Sequence, residues 1–418
     1  MSATPLRRNR DFLLLQAGLL LSSAGSQMTS IAYPLLVLAL TGSPAKAGVV
    51  AFVRLLAMSL FALPAGLAAD NWQRRRLMIA AHVARAVAIG TLGVLVVADE
   101  VVFWIVPLVA FVEGSGAALF SAAQHGAFRA VVPTEQLPAA VAVVTGREAA
   151  VSVASPALGG LLFGVARALP FLVHAVLYVF SASALLAMRT PFQGEREADR
   201  SSVRSRIAEG FRFLWDHAFL RTTALLFGLA NFIGPGVLLA IVVIGEEQGL
   251  TSGRVGLLVS VFGAFILVGA FLSPFVRRRL PVRGVLLLEL WTWVGCAAFL
   301  VWPSVYVLTA SILPTALVIP STDSVVHSYR LALTPDRLLG RVGSVWTTIG
   351  LAIAPLGPLV AGLMLDATSE RATIAVFAAF GLALALWGTL SPSIRAAPSL
   401  DELVELSEPR PPSPAAAG

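Results

Sequence analysis

Ionisable side chains stand inside long apolar runs of this chain at Arg54, Arg85, Glu113, Arg147, Glu148, Glu289 and Asp323. A charge in such a setting is costly, so each is a candidate for moving an ion or a substrate. Glu113 leads, because it falls near the middle of its run, where a carboxylate shielded from water can take up and release a proton. Arg147 and Glu148 reach nearly the same depth in the next run. Arg147 could pair with Glu113 and leave Glu148 to titrate, and a static ion cluster locking two helices together is the competing reading. Arg85 is close enough to a helix end to snorkel. Arg54 lies deeper and suits either an interhelical hydrogen bond or a substrate contact. Glu289 and Asp323 rank lower, Glu289 because its run is expected at the periphery and Asp323 because it falls near a helix end.

Gln16, Ser23, Gln27 and Ser30 recur at helical spacing and so share one face of the first run. Such a stripe packs against other helices or lines a polar cavity, and four polar groups in a row suit a cavity. Tyr33, Asn231 beside Gly234 and Pro235, and Asp323 complete the candidate cavity residues. Other chemistry is poorly supported. The chain has no Gly-rich phosphate loop ending in Lys, no His-Glu-x-x-His and no Gly-x-Ser-x-Gly. His125, His174 and His327 show no ligand spacing, and the lone Cys296 excludes a disulfide framework. No enzyme, cofactor or metal is expected, and movement would run on a proton gradient or downhill.

The elements that must hold these residues follow from composition. Apolar residues make up 57% of the 418 and charged residues 13%, and the mean hydropathy is +0.84. A soluble domain carries about 25% charged residues. A helix needs about 20 apolar residues to cross a bilayer, and twelve runs qualify: 12–36, 46–69, 77–98, 102–123, 139–164, 169–188, 222–244, 254–275, 284–302, 305–323, 342–364 and 372–391. The outer loops carry only Lys46, Arg167, Arg254 and Arg371 of the 30 Lys and Arg residues, whereas Arg7, Arg8, Arg10, Arg74–Arg76, Arg277–Arg279 and most others fall on the opposite side. That bias places both termini in the cytoplasm. It also accounts for the +7 net charge without nucleic acid. A multi-pass protein of the cell membrane, acting as a monomer on a small-molecule substrate within the lipid bilayer, is expected.

The halves repeat. Pro133 after the fourth run matches Pro335 after the tenth, and Ser155–Leu161 matches Gly357–Leu363 at the same offset. The chain therefore divides into a six-helix bundle at 1–188, a linker at 189–221, a second bundle at 222–392 and a tail at 393–418. The linker begins polar, then sets Val203, Ile207, Phe211, Leu214 and Trp215 at helical spacing, as in an amphipathic helix on the inner membrane surface that straps the halves together. The Pro-rich tail is expected to be disordered. Two parallel six-helix bundles would place substrate near the midplane and work by rocking.

The turn Gly66-Leu-Ala-Ala-Asp-Asn-Trp-Gln-Arg-Arg-Arg-Leu-Met78 resembles the first signature of major facilitator superfamily transporters, with Gly66, Asp70, Arg74 and Arg75 matching and Ala68, Asn71 and Gln73 departing from it. Ser155-Pro-Ala-Leu-Gly-Gly160 is similar to the antiporter signature Gly-Pro-x-x-Gly-Gly. Ala118–Leu137, Glu209–His217 and Leu338–Val345 resemble the drug-efflux branch that includes macrolide exporters and the enterobactin exporter. The resemblance implies an all-α membrane fold of twelve helices in two pseudo-symmetric bundles. It also implies a gating loop in which Asp70 faces the helix start near Arg341–Ser344, with Arg129 as its basic partner, while Pro156, Gly159 and Gly160 let the fifth helix pack closely. The activity it implies is export of an amphipathic or lipophilic compound, a drug, antibiotic or siderophore-like molecule, by proton antiport. A permease for a small polar nutrient is the alternative and a non-transporting scaffold or receptor the third. Sparse charged or sugar-binding groups in the first, fourth, seventh and tenth runs favour export.

Overall fold

The computed structural model describes residues 5–192 and 203–398, apart from the side chains of Asp70, His125, Arg129, Asp336 and residues 203–207. The polar start of the linker and the tail beyond 398 lie outside the described residues. The described chain is helical. The first bundle comprises α1 (Arg10–Thr41), α2 (Pro44–Asn71), α3 (Arg74–Val97), α4 (Ile105–Val131), α5 (Leu137–Val165) and α6 (Leu169–Ala187). A surface helix, α7 (Val203–Asp216), leads into the second bundle. There the seventh span is α8 (Ala218–Ala230) plus α9 (Ile233–Glu247), the eighth α10 (Ser252–Arg279), and the ninth α11 (Val282–Trp293) plus the one-turn α12 (Ala298–Val301). The tenth is α13 (Val305–Leu333), the eleventh α14 (Leu339–Ile353) plus α15 (Leu356–Ala367), and the twelfth α16 (Glu370–Leu390), followed by a short α17 (Pro392–Arg395).

Eleven of these helical segments are long and apolar enough to cross a membrane. The twelfth expected span, α1, has the length, 32 residues, but its polar stripe dilutes its hydropathy. That stripe is one reason to regard α1 as facing protein rather than lipid.

The breaks in the seventh and eleventh spans have local causes. Pro235 lacks an N–H and its ring opposes the carbonyl of residue 231, so α8 stops at Ala230. Pro355 does the same to Leu351. The carbonyl it strands does not stay empty: the Ser59 hydroxyl of α2 donates to Leu351 O at 2.8 Å across the boundary between the bundles.

Two expected boundaries shift. Residues 218–221 belong to the seventh helix rather than the linker, because α7 and α8 are separated only by His217. Residues 393–398 are not disordered: Ile394 is buried, and Tyr329 OH donates to Pro398 O.

The bundles meet along two seams, α2 with α15 and α5 with α10. Both seams are tightest at the face opposite the termini. A Cβ on Gly48 would stand 2.6 Å from Pro358 O, and one on Gly160 would stand 2.2 Å from Ser252 O. Small residues let the backbones approach to that distance, the usual means of helix association in lipid. Asp366 at the far end of α15 accepts from Ser43 Oγ at 2.9 Å and from Ala45 N at 3.4 Å, capping α2 from the other bundle. Toward the face that carries the termini the seams part, and Gly66, Gly146, Gly340 and Gly343 have no neighbouring atom within 4 Å of a built Cβ. The molecule is a V, joined at the far face and open at the face of the termini.

Candidate functional site

Two cavities open inside the V. A central one of about 360 Å³ lies between the bundles, lined from the first by Gln27, Ser30, Tyr33, Arg54 and Pro156 and from the second by Pro235, Leu238 and Phe262. A second, of about 310 Å³, enters the second bundle and shares Pro235, Leu238 and Phe262 with the first. Volumes of this size suit small molecules.

The polar wall of the central cavity rests on a buried network. Glu113 on α4 accepts from Arg85 Nη2 at 2.7 Å, Tyr178 OH at 3.0 Å and Ser26 Oγ at 3.2 Å through one oxygen, and from Arg54 Nε at 2.5 Å through the other. Arg54 also donates to Ser26 Oγ at 3.1 Å, and the Arg85 guanidinium lies 4.4 Å from the Tyr178 ring centroid. His174 meets Thr29 Oγ1 at 3.1 Å and packs on Tyr178. The spacing of small residues makes room: a Cβ on Gly114 would stand 2.1 Å from Arg54 O, and one on Gly25 would stand 2.0 Å from the His174 ring. Five helices converge on one carboxylate. With two guanidiniums to one acid, the network carries a surplus positive charge, and Arg54 brings it to the cavity wall.

This geometry corrects the pairing expected from sequence. Arg147 does not meet Glu113. It donates to Gln16 Oε1 at 2.7 Å and to the adjacent Glu148 at 3.3 Å, a pair in which the Glu148 side chain is 63% exposed. Nor does Arg85 snorkel: it is 4% exposed and anchored on Glu113. Protonating Glu113 would strand the buried Arg85 and remove the counter-charge of Arg54 at the cavity wall, so it suits the static-cluster reading better than that of a free proton carrier. The clue lay in the charge count, since the deep part of the first bundle offers two arginines for one deep acid.

Of the polar stripe, Gln27 and Ser30 line the central cavity with Tyr33, whereas Gln16 turns to Arg147 and Ser23 lies away from the lining. Asn231 and Asp323 line the second cavity, together with Glu289. Asp323 is not at a helix end but deep within α13, and Glu289 faces the cavity rather than the periphery.

Residues 1–413 of the 418 match the family model described as transmembrane secretion effector. It belongs to the major facilitator superfamily. Among relatives, the multidrug efflux pump Tap of Mycobacterium tuberculosis is 27% identical over 421 residues, covering 94% of this chain and 95% of the relative. Macrolide efflux protein A of Streptococcus pyogenes is 24% identical over 380 residues, covering 84% and 87%. A bacterial homologue of the human lysosomal transporter Spinster, solved inward-facing and unoccupied, matches with a TM-score of 0.74 at 15% identity, covering 93% of this chain and 98% of that one.

In this superfamily member the signature residues divide by role. Arg75 donates to Leu185 O at 2.7 Å and to Leu186 O, satisfying last-turn carbonyls of α6, and Arg74 donates to Phe192 O at 3.1 Å. They brace the first bundle at the face of the termini. The side chains of Asp70 and Arg129 lie outside the described residues, while Arg341, the proposed neighbour of Asp70, pairs with Glu209 of α7. Pro156 and Gly160 sit in the seam against α10, whereas Gly159 packs within the first bundle, where a Cβ would meet Met28 O of α1 at 2.4 Å. Beside them Ser260 Oγ accepts from Ala157 N at 2.8 Å. Sequence reasoning missed Asp366 and Ser59, which carry no motif: Asp366 bonds across the boundary between bundles, and the Ser59 hydroxyl is shared between Leu55 O of its own helix at 2.9 Å and Leu351 O of the other bundle at 2.8 Å.

Proposed function

We propose that this transporter exports amphipathic small molecules across the cytoplasmic membrane in exchange for protons, by alternating access. The observation that carries the reading is the central cavity, mostly apolar with a few polar groups, closed at one face and open at the other. The basic bias of the loops makes the open face cytoplasmic, so that the V is an inward-facing state able to load cargo from the cell interior or inner leaflet. The names of the efflux relatives support the direction, and parallel bundles support rocking as its mechanism.

Proton exchange falls to carboxylates that water can reach. Glu148 is exposed and Asp323 opens to the second cavity, whereas Glu113 is locked by its arginines. Inside-out vesicles loaded by the protein under an inside-acid pH gradient are expected to accumulate a lipophilic dye, and to lose that accumulation when the gradient is collapsed. A polar nutrient moving in its place supports the permease alternative, and no gradient-dependent movement of any compound overturns transport. Dye accumulation surviving Glu148→Gln combined with Asp323→Asn would remove both acids from the coupling step.

A further inference from the structure

We propose that the cavity in the second bundle is a binding site for the cationic head of an organic cation, with the apolar body of the same molecule lying in the central cavity. This inference rests on the export reading and names the class of cargo.

Two carboxylates line that cavity, Glu289 from α11, 7% exposed, and Asp323 from α13, open to the cavity. No basic residue lines it, and neither acid has a salt-bridge partner among the described residues. A buried acid without a counter-charge, as Glu289 is, is expensive, and beside the open Asp323 carboxylate it makes the cavity a place where a positive charge from outside is favoured. The nearest cation on α13, Arg330, is turned toward His327 and the Trp346 ring.

Acids alone do not define a ligand, but the walls between them do. Trp293, Trp346 and Phe227 present aromatic surface to the cavity, the setting in which an organic cation gains from ring faces as well as from carboxylates. Trp293 is 4% exposed, and its indole Nε1 has no hydrogen-bond partner. A buried donor left empty costs free energy, and a cargo carrying an acceptor beside its charged group would fill it. Asn231, at the break in the seventh span, adds a further polar group to the same wall.

The first bundle argues for the same orientation. Its wall of the central cavity holds Arg54, part of a network with surplus positive charge, which repels a cation. Pro235, Leu238 and Phe262 line both cavities, so the two spaces adjoin through an apolar neck. A molecule with a charged amine or phosphonium and an apolar body would be oriented across that neck, head toward Glu289 and Asp323.

Titration calorimetry on the purified full-length transporter with tetraphenylphosphonium, a permanent cation, and triphenylphosphine oxide, a neutral aromatic compound with an acceptor, tests the assignment. Tetraphenylphosphonium is expected to bind and to lose at least about tenfold in affinity, 1.4 kcal/mol, in Asp323→Asn and in Glu289→Gln. Asp323→Glu should retain it. Trp293→Phe, which keeps the ring and removes the N–H, should weaken the phosphine oxide and spare the phosphonium, and it supplies a second test if either acid variant fails to fold. Equal tetraphenylphosphonium affinity in the wild type and the Glu289→Gln, Asp323→Asn double variant overturns the inference, as does no binding to the wild type, or an equal loss of both probes in the acid variants. Gradient-driven accumulation of a neutral dye alongside any of those three results leaves export standing and sinks only the cation site.

Discussion

At the scale of single residues, the first bundle depends on Glu113 for structure. Replacing it by Gln leaves Arg85 buried and Arg54 at the cavity wall without their counter-charge, and breaking a buried pair such as Arg85–Glu113 costs roughly 3–5 kcal/mol. Glu113→Gln should therefore lower the melting temperature of the purified protein sharply, while Glu148→Gln, at an exposed side chain whose partner Arg147 keeps its bond to Gln16, should lower it far less. Asp11 makes a second structural prediction. Its Oδ2 accepts from the Arg189 and Thr190 amides at 3.0 and 2.7 Å and from Thr190 Oγ1 at 2.5 Å, holding the turn after α6. Burial raises the Asp11 carboxyl, but the Thr190 and Arg189 donors outweigh it, so the group titrates below its ordinary range. The stabilisation is complete above the unfolded pKa of about 3.9 and fades as pH falls through the folded value. Asp11→Asn should cost about 1–3 kcal/mol at pH 7, and the gap to wild type should shrink as the pH of a melting series drops below about 4. The candidate residues were legible as types, since a charge in an apolar run is conspicuous. Their pairing was not, because Arg54, Arg85 and Glu113 come from three helices whose rotation about their axes no local pattern specifies.

At the scale of helices, eleven of the twelve spans could be read from hydropathy, α1 from its length and order in the chain, and the breaks in the seventh and eleventh spans lie at prolines. What could not be read is which small residues meet. Gly159 and Gly160 are adjacent in α5, yet one abuts α1 of its own bundle and the other α10 of the opposite bundle. Gly160→Leu should consequently pry α5 from α10 at the closed face without unfolding the first bundle. The expected result is an intact, monodisperse protein whose Ser252 and Pro156 regions gain hydrogen exchange; unchanged exchange there would mean that the seam has no role in closure. The surface helix α7 was legible as amphipathic, but not its partner. Leu214 joins Leu220, Leu338, Val342 and Val345 in a small core, and Glu209 pairs with Arg337 and Arg341. It therefore travels with the second bundle, and its exposed Phe211 and Trp215 stack 5.2 Å apart on the side away from that core.

For the whole molecule, the alternation proposed above requires the far-face joint to come apart in each cycle. Asp366 supplies polar bonds to that joint from a single carboxylate. In a Cys296→Ser background, spin labels placed by Lys46→Cys and Thr368→Cys should report a short distance, and Asp366→Ala should add a longer population to the distribution; an unchanged distribution would show that the glycine seam alone holds the joint. The Ser59 contact bears on how such a chain is made. Pro355 creates an acceptor at Leu351 that its own helix cannot satisfy, and the donor that answers it belongs to α2, some three hundred residues earlier. During synthesis the donor helix reaches the bilayer long before the acceptor does. The eleventh span thus enters a membrane that already holds its missing partner, and a second bundle produced as a separate polypeptide would have to carry that bare carbonyl until the first bundle found it.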